Sequence, residues 1–387
     1  MRTNKAAIGE MRANLIDLAQ TEVEKENIKN AKGVNIFKAE VVRRANPNYK
    51  VDYIAPASKI KMTPDGEHFE LQTDEGNITL PMTGTCHSQT AQDTGVGVKY
   101  YNKCSAIPGL RSLNVNAWLN EQAKEDKSRM IRTLDGKARA NVSSKFLRFD
   151  NDDAMKAIAP LFSEFGNLGV ELKSYNLTDD YLMMQAVFPG MALDVRPGDT
   201  VNQGAMIRNS EVGLASVEVR SLIWRLICSN GAIGETILSR KHVSSRIDTG
   251  EENAAIYSKE TIEAMIESYR LQLRDVVRDA LAEEKFEARV NLLRDATEQT
   301  FSKRKAKKVV EKLNKVRGYS FTEDDMDMIF GNMASEDEFS KYGVSNGITA
   351  IGHEDDVSPE DAFDFEQKGQ DIITIPDKVW NDIIAAA

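Results

Sequence analysis

Apolar positions along this chain recur with two periods, and the change of period marks its elements. Between residues 6 and 25, Ile8, Met11, Leu15, Leu18 and Ala19 keep the three-to-four spacing of an amphipathic helix. From residue 33 to residue 80 the pattern shortens. Val34, Ile36, Tyr53, Ile54, Phe69, Leu71, Ile78 and Leu80 stand in short runs broken by Asn46-Pro47-Asn48, Pro64-Asp65-Gly66 and Glu75-Gly76, which predicts strands and hairpins. Residues 83–104 predict two short helices about Gly95-Val96-Gly97, and residues 113–123 a third with Asn114 as its cap. Residues 128–149 alternate about Leu134-Asp135-Gly136-Lys137, a hairpin signal. Asn151 or Asp152 then caps a helix carrying Met155, Ile158, Leu161 and Phe165.

Residues 170–233 read mostly as strand. A hairpin turns at Thr178-Asp179-Asp180 and another strand follows Pro197-Gly198-Asp199. The apolar run 216–228 fits a strand or a helix, since periodicity does not separate the two at that length. Beyond Ser258 the helical period returns. Ile262, Met265, Ile266, Tyr269, Leu273, Val276, Val277, Ala280 and Leu281 predict one long helix over 259–294, free of proline and glycine. A basic helix over 303–317 stops at Gly318. A third begins at Thr322, with Glu323, Asp324 and Asp325 in the turn where the helix dipole favours negative charge. The expected class is α+β, a curved, mainly antiparallel sheet packed by helices, with a helical, acidic C-terminal region. Three regions follow: an N-terminal helix and hairpins (1–80), an α+β core (81–257) and the helical end (258–387).

Composition narrows the setting. At 387 residues and 41% hydrophobic content the chain is long enough to bury a full core. No apolar run approaches the roughly 20 residues of a membrane span, and residues 1–17 lack the apolar core of a secretion signal. Cys86, Cys104 and Cys228 are far apart, which reads as free thiols in a reducing compartment. A cytoplasmic protein that avoids membranes is expected. The formal net charge is −10, but the acids gather late, at Glu323 to Asp327, Glu336 to Glu338 and beyond Glu354.

Candidate chemistry is sparse. His68, His87, His242 and His353 lie in separate elements and Cys86-His87 is the only adjacent ligand pair, so neither metal nor cofactor is expected. No nucleophile elbow and no phosphate loop is present, and no catalytic residue is assigned. Asp150, Asp152 and Asp153 follow a strand as the acids of a two-metal nuclease would, although capping the next helix is their commoner use. The basic set is the more informative. Arg132, Lys137, Arg139, Lys145 and Arg148 sit on or beside one hairpin, and Arg208, Arg220, Arg225, Arg240, Lys241 and Arg246 on later strands and loops. On a curved sheet these cations would line a groove for a phosphate backbone, with Phe146, Phe149, Tyr175 and Tyr181 available to stack on bases. The competing reading is a sheet face with internal ion pairs, for example to Glu211 and Glu218. Lys303 to Lys308 reads as an exposed helix face answering the acidic tail in cis.

Several stretches resemble a phage and plasmid family known as domain of unknown function 932. His87-Ser-Gln-Thr-Ala-Gln-Asp-Thr-Gly-Val-Gly-Val-Lys-Tyr-Tyr101 resembles its "QLA…GIP…YY" segment. Arg132 to Ala140 with Phe149 to Asp153 resembles "R…G…RA.LS..Y..LDN.D". Ile207-Arg-Asn-Ser-Glu-Val-Gly213 is similar to "ISNSEVG", differing at Arg208; Trp224 to Gly231 is similar to "YRLVCTNG", and Lys241-His-Val243 to "RHVG". Tyr342 to Thr349 is similar to "GLVNAVT", and Phe365-Glu-Gln-Lys-Gly369 follows. The resemblance implies a mobile-element origin and carries no activity or site residue. Local physics also explains two of these motifs, as tight turns at Asn209-Ser210-Glu211 and Asn230-Gly231.

The expected function is nucleic-acid binding, with single-stranded DNA as partner, in strand annealing or recombination. The element order is similar to that of phage annealing proteins of the RecT and Redβ class, which implies a homo-oligomer. The alternative is a non-enzymatic protein-interaction factor, for counter-defence or host takeover, that meets a host or phage protein through its acidic tail. A metal-dependent nuclease on Asp150 to Asp153 is a third option. The first reading requires one continuous positive surface from Arg132 to Arg246; the second requires that surface broken.

Overall fold

The structure is a computed structural model, and it describes residues 41, 43–47, 49–226, 230–240, 258–354 and 357–387. The helix predicted over residues 6–25, Val34, Ile36, Cys228, Lys241, His242 and Arg246 lie outside the described residues; of Tyr175 and Arg240 only the backbone is described.

The chain is α+β with antiparallel sheets, none of them closed into a barrel. Strands β1 (Asp52–Pro56), β5 (Ser128–Leu134) and β6 (Lys137–Ser143) form one sheet in the order β1-β5-β6, and β2 (Ile60–Met62), β3 (His68–Thr73) and β4 (Gly76–Pro81) form another. Helices α1 (Gly84–Asp93), α2 (Val98–Cys104) and α3 (Leu110–Lys124) cover them. Ile60, Phe69, Leu71, Cys86, Val115, Leu119 and Ile131 share one buried cluster, so residue 80 falls inside a single core.

A five-stranded meander follows, β7 (Glu171–Leu177), β8 (Leu182–Arg196), β9 (Asp199–Asn209), β10 (Val217–Arg225) and β11 (Asn230–Arg240). The ambiguous run 216–228 is therefore a strand. Both faces of the meander are covered beside the first half of β8, where residues 182–188 are buried at every position. On one face Met184, Ala186, Ile207 and Val219 pack against α4 (Asn151–Glu164) and α5 (Lys259–Ala280). On the other, Met183, Val187, Met206, Leu222 and Trp224 meet Phe363 of helix α10 (Pro359–Ile373).

The helix predicted over 259–294 is two helices, α5 and α6 (Glu283–Glu298), broken at Leu281-Ala282. Tyr269, Leu273 and Val277 serve the core beside β7 to β10. Phe286, Val290 and Leu293 serve a second cluster with Val195, Val201 and Ile223 near the far end of the same sheet. A twisted sheet turns beneath a straight helix, so contact with both ends requires the axis to bend. The Ala280 carbonyl freed at the break accepts from Gln203 Nε2 and Arg289 Nη2, both at 3.0 Å. Asn114 is not a cap either: α3 begins at Leu110, and the Asn114 amide donates to the Leu110 carbonyl one turn back.

The C-terminal region is a folded bundle. Helices α7 (Ala306–Arg317), α8 (Glu323–Ser335), α9 (Lys341–Ile351), α10 and α11 (Asp377–Ala386) close over Val310, Ile329, Ile348, Ile372 and Trp380. Gly318 ends α7 in the left-handed region, and Thr322 opens α8 with a reciprocal capping box to Asp325. Among the described residues no helix is long and apolar enough to cross a membrane.

Candidate functional site

The cations singled out in the sequence divide into two populations, and three of them are internal. Arg132 is completely buried. Its Nε and Nη2 donate to the Asp52 carboxylate at 3.0 and 3.1 Å, Nη2 also to Asp150 at 2.8 and 3.1 Å, and Nη1 to the Glu211 carbonyl at 2.6 Å. Arg139, also buried, donates to Glu211 Oε2 at 2.6 Å. Lys50 lies 2.5 Å from Asp150 and 3.1 Å from Glu211 Oε1, and the Asn151 N–H takes the same Glu211 oxygen at 2.8 Å. Asn209 completes the hub by donating to Asn151 Oδ1 and the Phe149 carbonyl.

Electrostatics inside the hub are mutual. Burial alone would discharge Asp150, but the Arg132 and Lys50 charges outweigh it and hold the carboxyl far below its usual range. Burial likewise opposes the charge on Arg132, and Asp150 and Asp52 more than restore it. Glu211 is held ionised against burial and the Asp150 charge by Lys50, Arg139 and Arg132. The turn that delivers Glu211 requires a left-handed residue, and Gly213 supplies it at φ +78°. A Cβ there would also sit 3.0 Å from the Phe146 ring, on which the Arg132 guanidinium rests.

Arg225 has the same fate at the other end of the sheet. It is buried, bidentate to Asp199 at 2.7 and 2.9 Å and to Glu336 at 2.8 and 2.7 Å, while the Tyr342 hydroxyl donates to Asp199 at 3.1 Å. Arg196 pairs with Glu338 beside it. On the opposite face the buried Glu366 accepts from Gln185 Nε2 at 2.5 Å and lies 3.1 Å from His353 Nε2, its carboxyl pushed up by burial. Acids expected in a free tail are thus spent on the sheet. Lys307 pairs with Asp327 at 2.7 Å, so part of the basic helix is answered within the bundle.

Asp150, Asp152 and Asp153 do not converge. Asp150 serves the hub, Asp152 pairs with Lys156 at 3.0 Å, and Asp153 accepts the Asp150 N–H at 3.1 Å, closing the start of α4. The residue before the helix is therefore Asp150, with Asn151 already the first helical residue. Among the described residues no group of three His, Cys, Asp or Glu is placed to hold a metal ion. Cys86 is buried, and His87 lies in a separate network, its Nδ1 2.6 Å from the Tyr101 hydroxyl.

The second population stays near solvent. Lys137 and Arg148 are exposed and Lys145 partly so, with Arg148 Nη1 3.6 Å from Asp52. On the α10 side of the meander, the Arg208 guanidinium lies 4.7 Å from the Tyr181 ring centre and 5.4 Å from that of Phe363. Arg220 lies 5.2 Å from the Phe363 ring and pairs weakly with Glu218 at 3.4 Å. Lys173 stands over Trp224 at 5.6 Å. A cavity of about 50 Å³ opens between Asn176, Tyr181, Met183, Arg208 and Phe363.

The Arg132 to Arg246 series is thus not one continuous positive surface among the described residues. Arg132, Arg139 and Arg225 are internal, and Arg220 does pair with Glu218, as the competing reading had it. Sequence reasoning missed Lys50, Asp52, Glu336 and Phe363. It placed helices over 83–104 and 113–123 but not the apolar surface of α2, α3 and the turn between them, where Tyr100, Ile107, Leu113 and Trp118, each more than half accessible, stand along residues 94–120, a stretch with no acidic residue. That absence of acid was readable beforehand. Comparison with family models, curated proteins and solved structures finds no match to this chain. The resemblance described above rests on its quoted residues. Those residues do meet in space: Arg132, Arg139, Asp150, Asn209 and Glu211 in one hub, and Arg225 with Tyr342 in another.

Proposed function

We propose that this protein binds nucleic acid, single strands in preference, through the Arg208–Arg220 face of the five-stranded sheet. The supporting observation is the interleaving of guanidinium groups with aromatic rings there. Arg208 and Arg220 share the Phe363 ring, Arg208 also faces Tyr181, and among the described residues Arg208 forms no ion pair. Cations that follow a backbone beside rings that take bases are the two elements of sequence-tolerant single-strand binding. Strand annealing or recombination in a phage or other mobile element, inside the host cytoplasm, is the setting in which we place it, on the family resemblance.

With Arg132, Arg139 and Arg225 committed to the fold, few phosphates are neutralised. For about three, log affinity falls with log salt at a slope near −2 on single strands. Fluorescence anisotropy with labelled single- and double-stranded oligonucleotides across a salt series measures this. Salt-insensitive binding, or none at low salt, removes the proposal. Arg208→Ala with Arg220→Ala weakens binding to all sequences alike, because phosphate contacts carry no sequence information.

A second reading, a protein-interaction factor that includes self-association, is favoured by the exposed Tyr100, Ile107, Leu113 and Trp118. Exposed aromatic and aliphatic side chains of this kind mark partner surfaces. Light scattering over a concentration series compares the wild type with Leu113→Lys/Trp118→Lys. A wild type that stays monomeric throughout ends the self-association part.

A further inference from the structure

The cavity beside Arg208 has a lining that selects for charge. Asn176 and Tyr181 bring an amide and a hydroxyl, Arg208 brings up to five N–H donors, and Met183 and Phe363 bring apolar walls. Among the described residues no carboxylate lines it. Glu218 lies directly across the β9–β10 ladder from Arg208, but its carboxylate is 3.4 Å from Arg220. Asp364, next to Phe363, is drawn to Lys368 at 2.5 Å.

Rings centred 4.7 and 5.4 Å away flank the guanidinium, and among the described residues no carboxylate pairs with it. A planar fork held in this way is suited to bidentate recognition of an oxyanion, and the ordering cost is met before binding. Size narrows the ligand further. One water needs about 10–15 Å³ of such space, so a cavity of about 50 Å³ accepts a group of several atoms and excludes a nucleobase.

We infer that the Arg208 cavity is a phosphate pocket, taking a single terminal phosphate, with Arg208 as its charged fork and Asn176 and Tyr181 as auxiliary donors. A terminal phosphate carries more negative charge than a backbone diester and needs one entrance where a continuing chain needs two. The inference deepens the nucleic-acid proposal by naming the group that is held at the Arg208 end of the site.

The test uses the full chain and two probes: inorganic phosphate against chloride at matched ionic strength, followed by thermal unfolding, and one oligonucleotide with and without a 5′-phosphate, followed by anisotropy. Phosphate is expected to raise the melting temperature of the wild type and of Lys59→Gln, an exposed cation elsewhere, and not of Arg208→Gln. The 5′-phosphorylated strand is expected to bind about tenfold tighter than its 5′-hydroxyl twin, as one charge-assisted contact supplies, and Arg208→Gln is expected to erase the difference. Asn176→Ala, which removes a donor and no charge, is expected to reduce both effects and keeps the test usable if Arg208→Gln unfolds. Equal binding of both strands with no Arg208-dependent phosphate effect overturns the pocket and leaves the nucleic-acid proposal standing. Arg208-dependent protection by phosphate without oligonucleotide binding retains the pocket for free phosphate and overturns that proposal.

Discussion

Arg132 and Arg208 lie on neighbouring antiparallel sheets, each in a strand rich in apolar residues, and their environments are opposite. Around Arg132 two carboxylates and a carbonyl converge, from β1, from the start of α4 and from the turn after β9. Around Arg208 two aromatic rings converge, and among the described residues no carboxylate forms an ion pair with it. The first is a buried charge neutralised for the fold, the second a half-buried charge flanked by rings, to which we assign the ligand. An arginine in a strand is therefore not a binding residue by type; the groups that reach it from distant segments decide its use. A buried ionic hub also gains little net energy, since desolvation offsets the attraction. Its contribution here is to register, because residues 50–52, β5, β6, the start of α4 and the turn at 209–213 must all be in place for it to close.

The sharpest way to break the comparison is at Glu211. Removing one partner leaves Arg139 buried without its acid and Lys50 with Asp150 alone, so Glu211→Ala is expected to cost about 3–5 kcal/mol, read from urea unfolding. A loss below about 1 kcal/mol, the range of an exposed pair, would return the hub to the surface class and revive a continuous basic groove.

A smaller effect sharpens the edge of the hub. Burial and the adjacent Asp152 charge push the Asp153 carboxyl up to about 6, against about 3.9 in an unfolded chain. The folded state holds this proton more tightly, so its contribution is full below about pH 4 and lost as pH rises through about 6. Asp153→Asn is accordingly expected to gain up to about 3 kcal/mol relative to wild type at pH 8 and almost nothing at pH 4. Equal effects at both pH values would show that the carboxyl titrates normally.

The smallest effect is at the other pole. Arg208→Gln removes two cation–ring contacts and is expected to cost at most about 1–2 kcal/mol, while abolishing the phosphate response. A loss as large as that of Glu211→Ala would make Arg208 a second structural charge and erase the distinction between the two arginines.

Part of this is legible in the sequence alone. The hairpin at Asp135-Gly136, the stop at Gly318 and the start at Thr322 stand where turn and cap chemistry places them. The break at Leu281-Ala282 carries no such signal, since the sequence there holds no glycine or proline and the cause lies in two separate packing sites. Of the candidate site, Arg208 and Tyr181 were named from the sequence. Phe363, which joins Arg208 to Arg220, comes from a helix about 150 residues further along and could not be paired with them by any local pattern.

By itself the sequence determined the α+β class, the hairpins and several helix ends, because propensity, turn residues and caps act within a few positions of one another. Only the tertiary structure decided which arginines are internal and which stay near solvent. Asp52 is 80 residues from Arg132, and Asp199 is 143 residues from Tyr342. A charge is buried or left open according to whether such distant partners arrive, and that is settled when the sheets and helices pack.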